Sequence, residues 1–245
     1  MKTWIITGIS SSIGREVLKR LEKQQEEVCV IGQYYSRLEE VEKLKAEFSY
    51  VKLVLFQCDL TDETAVAQWI SKLQELKYEP THILHTPASK LEYMRIKEFR
   101  WEIAEKELKL QINSLAQLLK VFLPSMEKNH FGKILAVASA CTEGVPPKYM
   151  CHYVLTKYAL IALIKSAACE YSGKGININA ISPNMMETDL LSNIDNRIVE
   201  ITAKESAMKR NIRVEEVADG IMFLMGEGAG YINGINLNLT GGDRM

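Results

Sequence analysis

Apolar residues along the chain fall into two alternating rhythms. Short β-branched runs at 3–7, 28–31, 51–57, 82–85, 133–139, 176–181 and 235–239 predict strands. Between them, apolar positions three and four apart predict helices at 13–23, 38–47, 63–76, within 99–128 as one long helix, at 153–171 and at 214–225. Strand–helix alternation of this kind implies right-handed crossovers and a parallel sheet. The expected fold is therefore α/β: a single doubly wound domain of Rossmann type over 1–245, its seven-stranded parallel sheet covered by helices on both faces. The stretch 184–213 follows neither rhythm. Long connections are more often functional than decorative, so this one is expected to be a substrate lid.

Composition narrows the classes without changing the fold. The chain has 245 residues, 30 Lys plus Arg against 31 Asp plus Glu, 47% hydrophobic and 25% charged residues, close to the globular average. A balance this even speaks against a nucleic-acid partner, which calls for a basic stripe. No apolar run reaches the ~18 residues needed to span a bilayer, and the first residues lack the apolar core of a secretory signal. Five cysteines, none in a CxxC pair and four in apolar surroundings, read as reduced and buried thiols. The expected protein is cytoplasmic, without metal, nucleic-acid or membrane partners.

Two constellations carry chemistry. The first strand-to-helix turn runs through Gly8, Ser10, Ser11, Ser12, Ile13 and Gly14. Small residues there let backbone N–H groups approach a phosphate at a helix N-terminus, although a serine-rich helix cap explains the same residues. The second is Tyr153 and Lys157, four apart on one face of a predicted helix. A neighbouring ammonium favours a phenolate and lowers its pKa, which suits proton transfer with a carbonyl oxygen. Tyr93 and Lys97 repeat the spacing, but in a charge-dense stretch that reads as a solvated face. Tyr153 instead opens its helix fourteen residues after Ser139, at the carboxyl end of an apolar strand, where ligands bind in open α/β sheets.

These residues resemble the short-chain dehydrogenase/reductase family, compact single-domain type, over the whole chain. Gly8–Gly14 is similar to its glycine turn, and Asp59 with Leu60 to its adenine contact. Asn113, Ser139, Tyr153 and Lys157 match its catalytic tetrad in order, while the 179–183 and 233–242 segments resemble its late signatures. Met186, Thr188 and their neighbours at the lid entrance look most like the 3-oxoacyl-thioester (acyl-carrier-protein) reductases. The resemblance implies an NAD(P)H-dependent ketoreductase acting on a small-molecule carbonyl, carrier-bound in the β-ketoacyl case, and a homotetramer or homodimer. Tyr153 would be the general acid, Lys157 would hold the nicotinamide ribose, Ser139 would polarise the carbonyl, and Asn113 would position a water. Cofactor residues carried over are Gly8, Ser10–Gly14, Gln33, Arg37, Asp59, Leu60, Ala88, Tyr153, Lys157, Met186 and Thr188.

The chain also departs from the family pattern. Ser12 stands in place of a glycine, and Thr86, Pro87, Ala88 and Ser89 replace the usual segment after the fourth strand, Pro87 removing a backbone donor. At the end of the second strand Gly32 and Gln33 offer no carboxylate for a ribose 2′-hydroxyl, and Arg37 and Arg15 are near in sequence. NADP(H) is therefore favoured over NAD(H). Met185, Met186, Leu190, Leu191 and Met208 would either line a greasy substrate site or pack the lid on the core. Lys174 is a candidate for a carrier phosphate or simply solvated. Likewise Leu115, Leu118, Leu119, Phe122, Leu160, Leu163 and Ile164 would form an interface or be buried in one subunit. A catalytically inactive nucleotide-binding module on the same fold remains the alternative. A nucleotide-sugar epimerase is disfavoured, because its further substrate domain has no room after Gly242.

Overall fold

The computed structural model describes residues 1–36 and 38–243. Seven parallel strands form one sheet in the order β3-β2-β1-β4-β5-β6-β7. They are β1 (Lys2–Thr7), β2 (Val28–Tyr34), β3 (Val51–Gln57), β4 (His82–His85), β5 (Gly132–Val137), β6 (Ile176–Pro183) and β7 (Asn236–Leu239). The helices are α1 (Ser12–Lys23), α2 (Leu38–Lys45), α3 (Glu63–Glu75), α4 (Trp101–Leu108), α5 (Ser114–Lys128), α6 (Cys151–Glu170), α7 (Asn196–Glu205) and α8 (Val214–Met225).

Alternation along the strands divides the core. Ile5, Ile31, Ile83, Ile134 and Ile178 face the layer of α3, α5 and α6. Their neighbours Ile6, Val30, Leu84, Leu135 and Ile181 face α1 and α8. Side chains of this kind, with 0–1% of their surface exposed, each stabilise the fold by about 1.5–3 kcal/mol through burial. The sheet reverses direction of growth between β1 and β4, and the carboxyl ends of those strands are where such a sheet opens a crevice.

Two expectations change, and one open alternative is decided. The single helix within 99–128 is two helices joined by a π turn at Lys109–Asn113. The Ser114 hydroxyl donates to the Leu110 carbonyl at 2.6 Å, satisfying an oxygen in the turn where the register slips. The 184–213 stretch holds a 3-10 turn (Asp189–Leu191) and α7, whose N-cap Asp195 accepts from Arg197 N–H. And Leu115, Leu118, Leu119, Phe122, Leu160 and Ile164 are buried inside one subunit, Leu163 packing against them, so they are not an exposed interface. Of the cysteines, Cys29, Cys58 and Cys141 are buried while Cys169 is exposed. No helix among the described residues is long and apolar enough to cross a membrane.

Candidate active site

A cavity of about 880 Å³ opens along the carboxyl ends of the central strands, from the β1–α1 turn to Tyr153 and the 184–202 segment. At one end Gly8 turns the chain at φ +70°, and a Cβ there would lie 2.6 Å from the Thr86 hydroxyl. Only glycine accommodates both demands. Ser11 caps α1, its Oγ accepting from Gly14 N–H at 3.0 Å. The N–H groups of Ser12 and Ile13, which the helix cannot pair internally, belong to residues that line the cavity together with Gly8, Ser10 and Ser11. Gly14 does not line it. Its role is steric, since a Cβ would meet the Ile9 carbonyl oxygen at 2.5 Å.

Thr86 takes over what the altered segment after β4 was expected to disturb. Its hydroxyl donates to the Thr7 carbonyl at 2.8 Å and lies 3.2 Å from Ser11 Oγ, so β1, β4 and the turn are tied without a donor from Pro87. Ala88 lines the cavity beside it. Gln33 borders the cavity, but its amide is committed: Oε1 accepts from Gly8 N–H at 2.9 Å and Nε2 donates to the Cys58 carbonyl at 2.6 Å. Because β2 runs on to Tyr34, the position expected at Gly32 and Gln33 falls further along, where Tyr35 and Ser36 line the cavity and neither is acidic. Arg37 lies outside the described residues. Arg15 is not among the lining residues; its guanidinium donates to the Ser10 carbonyl at 3.0 Å.

Asp59 and Leu60 line the same end. Asp59 forms a local turn, accepting from the Thr61 N–H and hydroxyl at 2.8 and 2.7 Å, while Asp62 caps α3. The residues present suit a dinucleotide: a glycine turn, unpaired N–H groups at a helix start and a cavity long enough to hold both halves.

At the other end Ser139, Tyr153 and Lys157 converge. Ser139 follows β5 and caps a 3-10 turn at Ala140–Thr142, its Oγ accepting from Cys141 N–H at 3.2 Å, and it lines the cavity with Tyr153. Lys157 Nζ donates to the Val137 carbonyl at 2.9 Å and lies 5.6 Å from the centre of the Tyr153 ring. Burial works on the two in opposite senses. It raises the Tyr153 phenol above its ordinary value, with Ser139 opposing it, and pushes Lys157 down to about 8. The expected lowering of the phenol is thus not what the protein by itself supplies; it holds the proton on. Asn113 ends the π turn, half-buried and outside the lining, although Leu110 of the same turn is within it.

Around Tyr153 an apolar wall forms from Leu91, Met150 and Leu191, with Met185 and Leu190 packed against it. All five line the cavity, as do Met186 and Thr188, so residues of the 184–213 segment both pack and line; Met208 is exposed and outside. Tyr93 and Lys97 are both exposed, as the charge-dense stretch implied, and Tyr93 also lines the rim. Three exposed lysines, Lys90, Lys106 and Lys148, border this end. Lys174 instead pairs with Glu127 at 3.0 Å. Sequence reasoning missed Gln33's bracing, Thr86, Tyr35 and the lysine rim. Only the residue types after the second strand signalled any of them.

Comparison with known proteins places this geometry. A family model described as enoyl-(acyl carrier protein) reductase matches residues 8–243. The 3-oxoacyl-[acyl-carrier-protein] reductase FabG of Buchnera aphidicola subsp. Schizaphis graminum is 28% identical, over 98% of this chain and 96% of its own. The structure of ElxO with NADP bound is 28% identical with a TM-score of 0.84, covering 98% of both chains. Levodione reductase shares the fold at a TM-score of 0.87 and 22% identity, over 98% of this chain and 96% of its own.

Proposed function

The chain belongs to the short-chain dehydrogenase/reductase family and is an NAD(P)H-dependent oxidoreductase, and on that premise we propose that it reduces the ketone of a 3-oxoacyl thioester with NADPH. What carries the reading is the convergence of Ser139, Tyr153 and Lys157 on the apolar end of a cavity whose other end is the Gly8–Ile13 turn.

Ser10–Ile13 would hold the pyrophosphate, and Asp59 and Leu60 the adenine end. Lys157 would hold the nicotinamide ribose, with Met186 and Thr188 of the 184–213 segment contributing to the nicotinamide end. Tyr35 and Ser36, lacking a carboxylate, leave room for a 2′-phosphate, and Arg37 follows them in sequence. When bound, the reduced nicotinamide supplies a hydride to the carbonyl carbon.

The remaining chemistry belongs to the chain. Ser139 donates to the carbonyl oxygen and stabilises the charge that develops there. Tyr153 gives that oxygen its phenolic proton; burial, by holding the phenol protonated, favours the acid role over the base role. Lys157 offsets the phenolate that remains and passes a proton back to it, and Asn113 positions a water that returns a proton to Lys157. Leu91, Met150 and Met185 shed water from the reacting carbonyl and accept an acyl chain. Lys90, Lys106 and Lys148 at the rim suit the phosphates of a carrier-bound or coenzyme-bound thioester.

The test is NADPH oxidation by the purified protein with a panel of ketones. A 3-oxoacyl thioester is expected to be turned over in preference to sugar and steroid ketones. Reduction of a sugar or steroid ketone with no reduction of any 3-oxoacyl thioester would overturn the substrate assignment.

A further inference from the structure

Charged side chains are sparse along the cavity and unevenly placed. Among the described lining residues Asp59 is the only carboxylate, and it lies at the end that holds the glycine turn. The other end carries three cations besides Lys157: Lys90 after β4, Lys106 on α4 and Lys148 in the loop before α6, all exposed. Backbone contacts gather the three. Leu91 N–H donates to the Leu190 carbonyl at 3.2 Å and Met94 N–H to the Tyr149 carbonyl at 2.7 Å. Met94 and Met150 also pair as a short parallel bridge, so the residues after Lys90 run beside those after Lys148. Pro146 and Pro147, fixed in φ, lead into Lys148. Lys106 stands one turn before Leu110, which lines the cavity too, and α4 packs on α6.

None of the three is neutralised by the chain. Among the described residues no carboxylate lies within ion-pair distance of Lys90, Lys106 or Lys148, although several are near in sequence. Glu92 pairs with Arg100 at 3.4 Å instead, and Glu105 with Lys109 at 3.0 Å. Glu102 stands four residues before Lys106, the spacing at which opposite charges meet on a helix, yet the two make no pair. Like charges gathered at one mouth repel one another, so their convergence calls for an anion. Because the charges around them are balanced, the rim offers a point of positive potential rather than a broad basic face. It suits one compact anionic group.

We propose that Lys90, Lys106 and Lys148 determine specificity for the carrier arm: they bind the phosphate that ends the pantetheine chain, the group common to coenzyme A and carrier proteins. The proposal rests on the reading of the substrate as a 3-oxoacyl thioester. With the acyl group against Leu91, Met150 and Met185, the arm leaves the cavity past the rim. Between thioester and phosphate that arm is uncharged, so the phosphate is the first charge it presents there. Lysine binds such a group as a point charge. The test compares the wild type with a variant carrying Lys90→Met, Lys106→Met and Lys148→Met, which keeps apolar stems at the rim. One 3-oxoacyl group is offered on N-acetylcysteamine, which has no phosphate, on coenzyme A and on a carrier protein.

In the variant, kcat/KM for the coenzyme A thioester relative to that for the N-acetylcysteamine thioester is expected to fall about tenfold, through KM, and the carrier-bound thioester should lose as much. An unchanged ratio overturns the proposal. So does a loss confined to coenzyme A, which would place the lysines on the phosphates of its nucleotide, or one confined to the carrier, which would place them on its protein body. Binding is read separately, by calorimetry of 4′-phosphopantetheine and of pantetheine on the protein saturated with NADP⁺. The phosphorylated form is expected to bind the wild type about tenfold tighter, a preference that the variant loses. Equal binding of the two by the wild type overturns the proposal. Calorimetry needs no turnover, so a phosphate preference in a protein that reduces no thioester would count against the reaction proposed above and leave the lysine site standing.

Discussion

Gln33 sits one residue before the end of β2 with 2% of its surface exposed and both ends of its amide engaged. It pairs the Gly8 N–H and the Cys58 carbonyl, two backbone groups that no strand ladder reaches. Gln33→Leu leaves the Cys58 carbonyl buried and unpaired, at a cost of about 1–3 kcal/mol, and frees the half-buried Gly8 N–H. Urea unfolding is expected to show a loss of about 1–3 kcal/mol, and NADPH affinity should fall because the glycine turn is no longer braced. A variant with wild-type stability and affinity would show that the amide is dispensable. The residue types in this turn were legible from the sequence, because Gly8, Ser11, Tyr153 and Lys157 owe their roles to backbone conformation or helical spacing. The parts played by Gln33 and Thr86 were not. Each acts across the sheet, on partners such as Cys58 and Thr7 that no local spacing brings together.

Strand β4 illustrates the scale of the element. It carries His82 and His85, both buried; burial is the first cause that pushes each down to about 3 from an ordinary value of 6.5. Unfolding lets both take up protons at mildly acidic pH. Between about 6.5 and 3 the unfolded state therefore binds more protons, and stability falls as pH drops. Each histidine contributes up to about 1.4 kcal/mol per pH unit in that window. His82 stacks on Trp4 with ring centroids 4.6 Å apart, so His82→Phe keeps a ring there. Urea unfolding between pH 7 and pH 5 is expected to show a shallower acid slope for that variant, and an identical slope would rule out the linkage. The elements themselves were mostly legible, since apolar rhythm and burial coincide in β1, β3, α1 and α8. The sequence reading ended β2 early because Gly32 and Gln33 interrupt its β-branched run, whereas pairing to β1 and β3 carries the strand to Tyr34. Helix α7 escaped notice because it is short and none of its residues is fully buried, Val199 packing only in part against the wall around Tyr153. The π turn is a slip of register that leaves the apolar spacing of the helix almost intact.

At the scale of the whole molecule, the order of strands brings the chemistry together. With β1 and β4 adjacent at the reversal of the sheet, the glycine turn after β1, the Thr86–Ser89 segment after β4 and Ser139 after β5 open on one cavity. Residues more than a hundred positions apart in sequence thus share a site, and the 184–213 segment adds Met185, Met186 and Leu190 from beyond β6. The central claim is that this cavity binds NADPH and that Tyr153 delivers the proton of the reduction. Its most direct test compares the wild type with Tyr153→Phe, titrating NADPH by fluorescence and following NADPH oxidation with a 3-oxoacyl thioester. The phenol lies at the far end of the cavity from the phosphate turn, so the variant is expected to bind NADPH as the wild type does. Its turnover should fall by a factor of about 10²–10⁴, the worth of a positioned general acid. Undiminished turnover in the variant would contradict the assignment of Tyr153, and a wild type that binds no NADPH would contradict the account of the cavity itself.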